Sequence, residues 1–151
     1  MTNYLLAGGG TAGHVNPLLS LADKIREHEP ESAIFALGTK EGLESRLVPA
    51  RGYELLTVAR LPFPRRLNGY ALRFPVRWMK TVAELKDLLI ARKIDVVVGF
   101  GGYASAPAYA AAKKLGIPIV IHEANALPGF ANRYGAGFAA AVGVAFANSK
   151  L

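Results

Sequence analysis

Short runs of aliphatic and β-branched residues alternate along this chain with longer stretches whose apolar positions recur every three or four residues. The first run, Asn3–Ala7, reads as a buried strand ended by Gly8-Gly9-Gly10. His14 to Glu29 places Leu18, Leu21, Ala22 and Ile25 on one helical face, with Pro17 tolerated in the first turn. Ala33–Leu37 predicts a second strand, Glu41–Arg51 a second helix and Tyr53–Val58 a third strand. Leu61 to Pro75 holds three prolines and predicts an irregular stretch. The next segment, Val76 to Lys93, spaces Trp78, Val82, Leu85 and Leu89 as a long helix does. Ile94–Val98 is a fourth strand, and its three consecutive valines suit burial on both faces. A helix opened by Gly101-Gly102 runs to Leu115 and stops at Gly116, ahead of a fifth strand, Ile117–Ile121. A short helix around Gly129–Tyr134 and a sixth strand near Ala141–Phe146 complete the series.

Strands alternating with helices predict an α/β fold with a parallel, doubly wound sheet. There is no internal repeat and no low-complexity linker, and 151 residues suffice for one domain with a core of its own. The chain stops at Leu151 before a helix that would cover the last strand, which reads as a domain junction. It has no cysteine, so a disulfide framework and a thiolate metal site are excluded. Met1-Thr2-Asn3 lacks the basic start of a signal peptide. No stretch approaches the roughly 20 apolar residues of a membrane span, and a cytoplasmic location fits.

Charge changes this picture. The net charge of +7 points to an anionic partner such as nucleic acid, a phospholipid surface or a phosphorylated substrate. Much of the imbalance is local: from Leu55 to Ala83 there is no acidic residue, while Arg60, Arg65, Arg66, Arg73, Arg77 and Lys80 all fall there. Between Leu61 and Lys80 these basic groups alternate with Phe63, Leu67, Tyr70, Leu72, Phe74 and Trp78. The segment reads either as a loop and helix end packed on the core or as an interfacial patch on anionic lipid. A nucleic-acid surface ranks last, because nothing else in the chain resembles a nucleic-acid module.

The candidate chemistry lies in three loops at strand ends. Gly8-Gly9-Gly10-Thr11-Ala12-Gly13-His14 follows a strand and opens a helix, so its N–H groups and the helix dipole form a potential anion site. Gly8, Gly10 and Gly13 also match a dinucleotide fingerprint, which calls for an acidic residue after the second strand. Leu37-Gly38-Thr39-Lys40 offers none before Glu41. A bare turn is the other reading, although three consecutive glycines exceed what a turn requires. The second loop is Gly99-Phe100-Gly101-Gly102-Tyr103. In the strand order 3-2-1-4-5-6 it faces the first across the crevice where the winding reverses, favouring a phosphate or diphosphate ligand. His14 is then a general base, a phosphate donor or a structural residue. In His122-Glu123-Ala124-Asn125 a metal site lacks a third ligand. Glu123 and Asn125 fit sugar hydroxyls or anchor the loop.

Three motifs together resemble the MurG family of bacterial glycosyltransferases: the run Gly8 to Pro17, the run Gly99 to Pro107, and Gly116-Ile117-Pro118 followed by His122 to Asn125. They fall in family order over nearly the whole chain. Ala12 stands where a further glycine is common and Ala124 where glutamine is common. The resemblance implies the N-terminal, Rossmann-like half of a GT-B enzyme that needs no cofactor or metal. Such an enzyme moves N-acetylglucosamine from its UDP conjugate to a lipid-linked muramyl pentapeptide, inverting the anomeric centre. It implies His14 as catalytic residue, and Thr11, Ala12, Gly13, Tyr103, His122, Glu123 and Asn125 around the lipid-diphosphate acceptor. Arg65, Arg66, Leu67, Tyr70, Arg73, Phe74, Arg77 and Trp78 would touch the cytoplasmic face of the membrane. UDP-N-acetylglucosamine would belong to a C-terminal half outside this chain, which alone would not turn over. The residues also leave open a subunit of a split glycosyltransferase, a nicotinamide-dependent oxidoreductase domain, and a non-catalytic lipid- or nucleic-acid-binding module.

Overall fold

A computed structural model describes residues 1–151. Its elements in chain order are β1 (Asn3–Gly8), α1 (Ala12–His28), β2 (Ala33–Gly38), α2 (Glu44–Ala50), β3 (Glu54–Thr57), α3 (Gly69–Ala91), β4 (Val96–Gly101), α4 (Ser105–Leu115), β5 (Ile119–Glu123), α5 (Phe130–Ala136) and β6 (Ala141–Val144). The strands form one sheet in the order β3-β2-β1-β4-β5-β6, and every neighbouring pair is parallel. The predicted doubly wound α/β architecture is therefore the one observed, with the winding reversal between β1 and β4. No helix is long and apolar enough to cross a membrane.

The period-two alternation of the central strands builds a core on each face of the sheet. Leu5, Leu37, Val97, Ile119 and Ile121 join Val82, Leu85 and Leu89 of α3 and the alanines of α4. Leu6, Ala36, Val98 and Phe100 point the other way, onto Val15, Leu18, Leu19, Ala22 and Ile25 of α1. Each such aliphatic side chain contributes about 1.5–3 kcal/mol by leaving water. In α4 the side chains of Ala106, Ala108, Ala110, Ala111 and Ala112 are all buried, and α3 packs along this helix. The one aromatic side chain on α4, Tyr109, is fully buried beside Gly99, where a Cβ would fall inside the phenol ring. Burial pushes the Tyr109 hydroxyl above its ordinary range, so it stays protonated and can donate.

Several boundaries differ from the sequence expectation for identifiable reasons. The third helix begins at Gly69, well before Val76, because the Asn68 side chain caps it by accepting from the Ala71 N–H at 3.0 Å. Pro75 sits inside that helix on an exposed side, so the Ala71 carbonyl that loses its partner lies one turn back on the same side. Gly101 and Gly102 do not open α4, since φ of +108° and +96° are not helical values, and the helix starts at Ser105. The fifth strand runs two residues later than its aliphatic pattern suggests, which places His122 and Glu123 within it.

Gly99→Ala is expected to destabilise the chain by about 3 kcal/mol, because the added methyl meets the ring of a tyrosine that cannot withdraw. The urea midpoint should fall with the slope unchanged.

Candidate functional site

The carboxyl ends of β1 and β4 bring the two glycine loops into contact. Each of the three consecutive glycines of the first loop answers a separate demand. A Cβ on Gly8 would press on Phe100 Cβ at 3.1 Å, one on Gly9 would enter the Glu44 carboxylate, and Gly10 adopts φ +88°. Across the crevice a Cβ on Gly102 would stand 2.7 Å from the Gly9 carbonyl oxygen, and one on Gly101 2.8 Å from Nε2 of His14. The buried Ser105 hydroxyl lies 3.0 Å from the carbonyls of both Ala7 and Gly101, holding the two strand ends together.

His14 stands in the first turn of α1, half-buried. Its Nδ1 is 2.9 Å from the Gly9 carbonyl. A carbonyl oxygen only accepts, so Nδ1 is the donor of this contact, and in the neutral form of the ring that leaves the lone pair on Nε2. Thr11, Ala12 and Gly13 are exposed at the head of α1, whose first turn holds no acidic residue. The Thr11 side chain makes no capping bond. That helix end suits an anion.

Two cavities flank the first loop. One, of about 340 Å³, is lined by His14, Thr11, Gly102, Arg65, Phe63 and Glu123 among others. The other, of about 390 Å³, lies on the β2 side between Thr39, Glu41, Arg60 and Tyr103. Tyr103 borders both, is 40% exposed, and has the Arg60 guanidinium 4.8 Å from its ring centroid.

The third motif is divided by strand alternation. Glu123 faces the His14 cavity but is 1% exposed, and its oxygens are engaged. Oε1 accepts from the Asn125 backbone at 2.9 Å and from its side chain at 3.3 Å. Oε2 accepts from Asn132 Nδ2 at 2.9 Å, and Asn132 Oδ1 accepts from Tyr109 at 2.8 Å. Glu123 is thus the anchor of its loop. His122 points to the opposite face, its ring 5.7 Å from Phe100, with Nδ1 buried and unbonded. His122 lines neither of these two cavities.

The basic segment is also rearranged. Tyr70, Phe74 and Trp78 are half-buried, with Phe63 at the centre of an aromatic cluster: its ring centroid is 5.1 Å from Phe74, 5.4 Å from Trp78 and 3.9 Å from Phe130. The expectation that these three aromatics form the outward surface is corrected, because the α3 turn from Asn68 directs them inward. The outward apolar groups are Leu67, Leu72, Val76 and Met79, each more than two-thirds exposed or close to it, beside exposed Arg66, Arg73, Arg77 and Lys80. Arg65 lines the His14 cavity. Sequence reasoning missed Glu44, Asn132 and Phe130. Only the glycines around Glu44 hinted at it.

A parallel sheet with two apposed glycine loops, a helix end and a histidine at its switch point defines a domain of the Rossmann-like class. Residues 4–144 match the glycosyltransferase family 28 N-terminal domain, and the chain belongs to that family. It is 66% identical over 151 residues to the UDP-N-acetylglucosamine–N-acetylmuramyl-(pentapeptide) pyrophosphoryl-undecaprenol N-acetylglucosamine transferase of Clavibacter michiganensis, covering 100% of this chain and 41% of the relative. The protein of the same description from Leifsonia xyli is 60% identical, again over 100% of this chain and 42% of the relative. Among solved structures, Acinetobacter baumannii MurG superposes with a TM-score of 0.85 at 32% identity, over 99% of this chain and 43% of that one. The chain thus spans about two-fifths of the length of the curated relatives it matches.

Asn132→Ala would leave both Tyr109 and Glu123 with an unmet partner in a dry setting. The expected loss is about 2–4 kcal/mol in urea denaturation, beyond the ~1 kcal/mol of an ordinary hydrogen bond.

Proposed function

We propose that this chain is the acceptor-binding half of an inverting N-acetylglucosaminyltransferase of peptidoglycan synthesis. Its acceptor is a lipid diphosphate carrying a muramyl pentapeptide, and its donor, UDP-N-acetylglucosamine, is held by a further half of the enzyme. The observation that carries the reading is the His14 geometry: an imidazole whose Nδ1 meets the Gly9 carbonyl at 2.9 Å, beside a helix end suited to phosphate. The acceptor diphosphate rests on the Thr11–Gly13 N–H groups with Arg65 nearby. The acceptor hydroxyl attacks the anomeric carbon while Nε2 takes its proton, and the bonding pair of the broken C–O bond leaves with UDP. The names of the relatives from Clavibacter michiganensis and Leifsonia xyli support the substrate pair.

The outward side of α3 is the membrane dock of this reading, and the enzyme sits peripherally on the cytoplasmic face of the cell membrane. Leu67, Leu72, Val76 and Met79 enter the lipid interface while Arg66, Arg73 and Arg77 meet anionic headgroups. Nucleic acid is not a partner.

His14→Ala in the complete enzyme is expected to lower kcat by on the order of 10²–10⁴-fold with donor affinity unchanged. Steady-state kinetics with both substrates checks this; a wild-type kcat excludes the base role, and a rise in acceptor KM alone leaves His14 as a diphosphate ligand. Replacing Arg66, Arg73 and Arg77 together by Ser should weaken binding to anionic vesicles by roughly 10- to 100-fold at low salt, since each basic group contributes about 1 kcal/mol before screening. Cosedimentation equal to that of the parent makes the patch a solvated helix side.

A further inference from the structure

Glu44 is the most enclosed charged side chain next to the site, and the proposed chemistry does not use it. It is fully buried, and a Cβ on Gly9, Gly38 or Gly42 would overlap its carboxylate. Three glycines on two loops therefore make room for one acid. Burying a carboxylate is costly unless hydrogen bonds replace its water. No Lys or Arg forms an ion pair with it. Instead Oε1 accepts from the Thr39 N–H at 2.8 Å and from the Thr39 hydroxyl at 3.1 Å, and Oε2 accepts from the Gly10 N–H at 2.8 Å.

The Gly10 N–H belongs to the same peptide group as the Gly9 carbonyl, which accepts from His14 Nδ1. Glu44 and His14 therefore occupy the two ends of one amide. A carboxylate at the N–H end pushes electron density towards the oxygen, and a more negative oxygen holds the Nδ1 proton harder. We propose that Glu44 is the positioning residue of His14, acting through the Gly9–Gly10 peptide to hold the imidazole in the Nδ1–H tautomer with Nε2 available. It plays the part that a carboxylate in direct contact plays at many catalytic histidines, with one amide in between. The arrangement also explains the burial: a carboxylate open to water would be screened and would lose the Gly10 N–H. This inference rests on the reading of His14 as the site base.

The test uses the 151-residue chain without ligand and reads ring nitrogen-15 shifts of His14 at a pH where the ring is neutral, with amide exchange at Gly10. In the parent, the Nδ1–H tautomer should dominate, and the Gly10 amide should exchange more slowly than that of Thr11 although both residues are exposed. Glu44→Gln keeps the shape but offers one acceptor oxygen to backbone donors that now reach two. It should lower the ratio of Nδ1–H to Nε2–H tautomer by about three- to tenfold and release the Gly10 amide or the Thr39 amide. A folded Glu44→Gln chain with the parent's tautomer ratio overturns the proposal and leaves Glu44 a loop clamp only. If that variant does not fold, the parent decides alone: a dominant Nε2–H tautomer or a freely exchanging Gly10 amide overturns it equally. These spectra need no substrate, so their failure is distinct from an unchanged kcat in His14→Ala, which removes the base role while leaving the tautomer result in place.

Discussion

The Gly9–Gly10 peptide is held from three sides, and the rest of the site depends on where it sits. Gly102 lies against its carbonyl oxygen, His14 donates to that same oxygen, and Glu44 receives its N–H. None of these contacts survives a displacement of much more than an ångström, because hydrogen bonds weaken steeply away from their preferred geometry. The parallel sheet provides the necessary stiffness. Strands β1 and β4 are adjacent, their side chains are locked in cores on both faces, and a register shift at Ala7/Gly8 turns the two loops to meet. A loop that binds an anion through backbone groups can be rigid only if the strands beneath it are.

A second, independent frame supports the other wall. Tyr109, Asn132 and Glu123 form a buried chain of hydrogen bonds from the middle of α4 through α5 to the end of β5, and Glu123 in turn fixes the backbone at Asn125. The cavity between the two frames is floored by Phe63 and Phe130, whose rings touch at 3.9 Å. Phe63 also packs on Phe74 and Trp78 of α3. One aromatic cluster therefore links the basic, apolar side of the molecule to the inside of the site.

The layout of the fold was legible in the sequence because buried parallel strands are continuous aliphatic runs, and Leu5-Leu6 and Val96-Val97-Val98 could be little else. The glycine loops and His14 were legible because each follows such a run. What escaped were features decided between segments. The start of α3 depends on a single cap at Asn68, which outweighs the proline seven residues later. The separation of His122 from Glu123 escaped because β5 runs two residues further than its aliphatic pattern, and period-two alternation then turns the two side chains to opposite faces. Glu44 lies two residues after Gly42 at the start of a short helix and drew no expectation; its partner Gly10 is 34 positions away, and no local pattern announces the pairing.

The enclosure of Glu44 has a consequence for how such a chain can change over generations. A side chain on Gly9, Gly38 or Gly42 would push the carboxylate out of its place. If the glutamate is replaced first by a smaller residue, that restriction lifts and the glycines are free to drift to alanine or serine. Once any of them has done so, the space around position 44 is smaller and a returning glutamate would have to seat its carboxylate elsewhere. The four positions are therefore coupled by volume, and a change at one alters what the other three can accept.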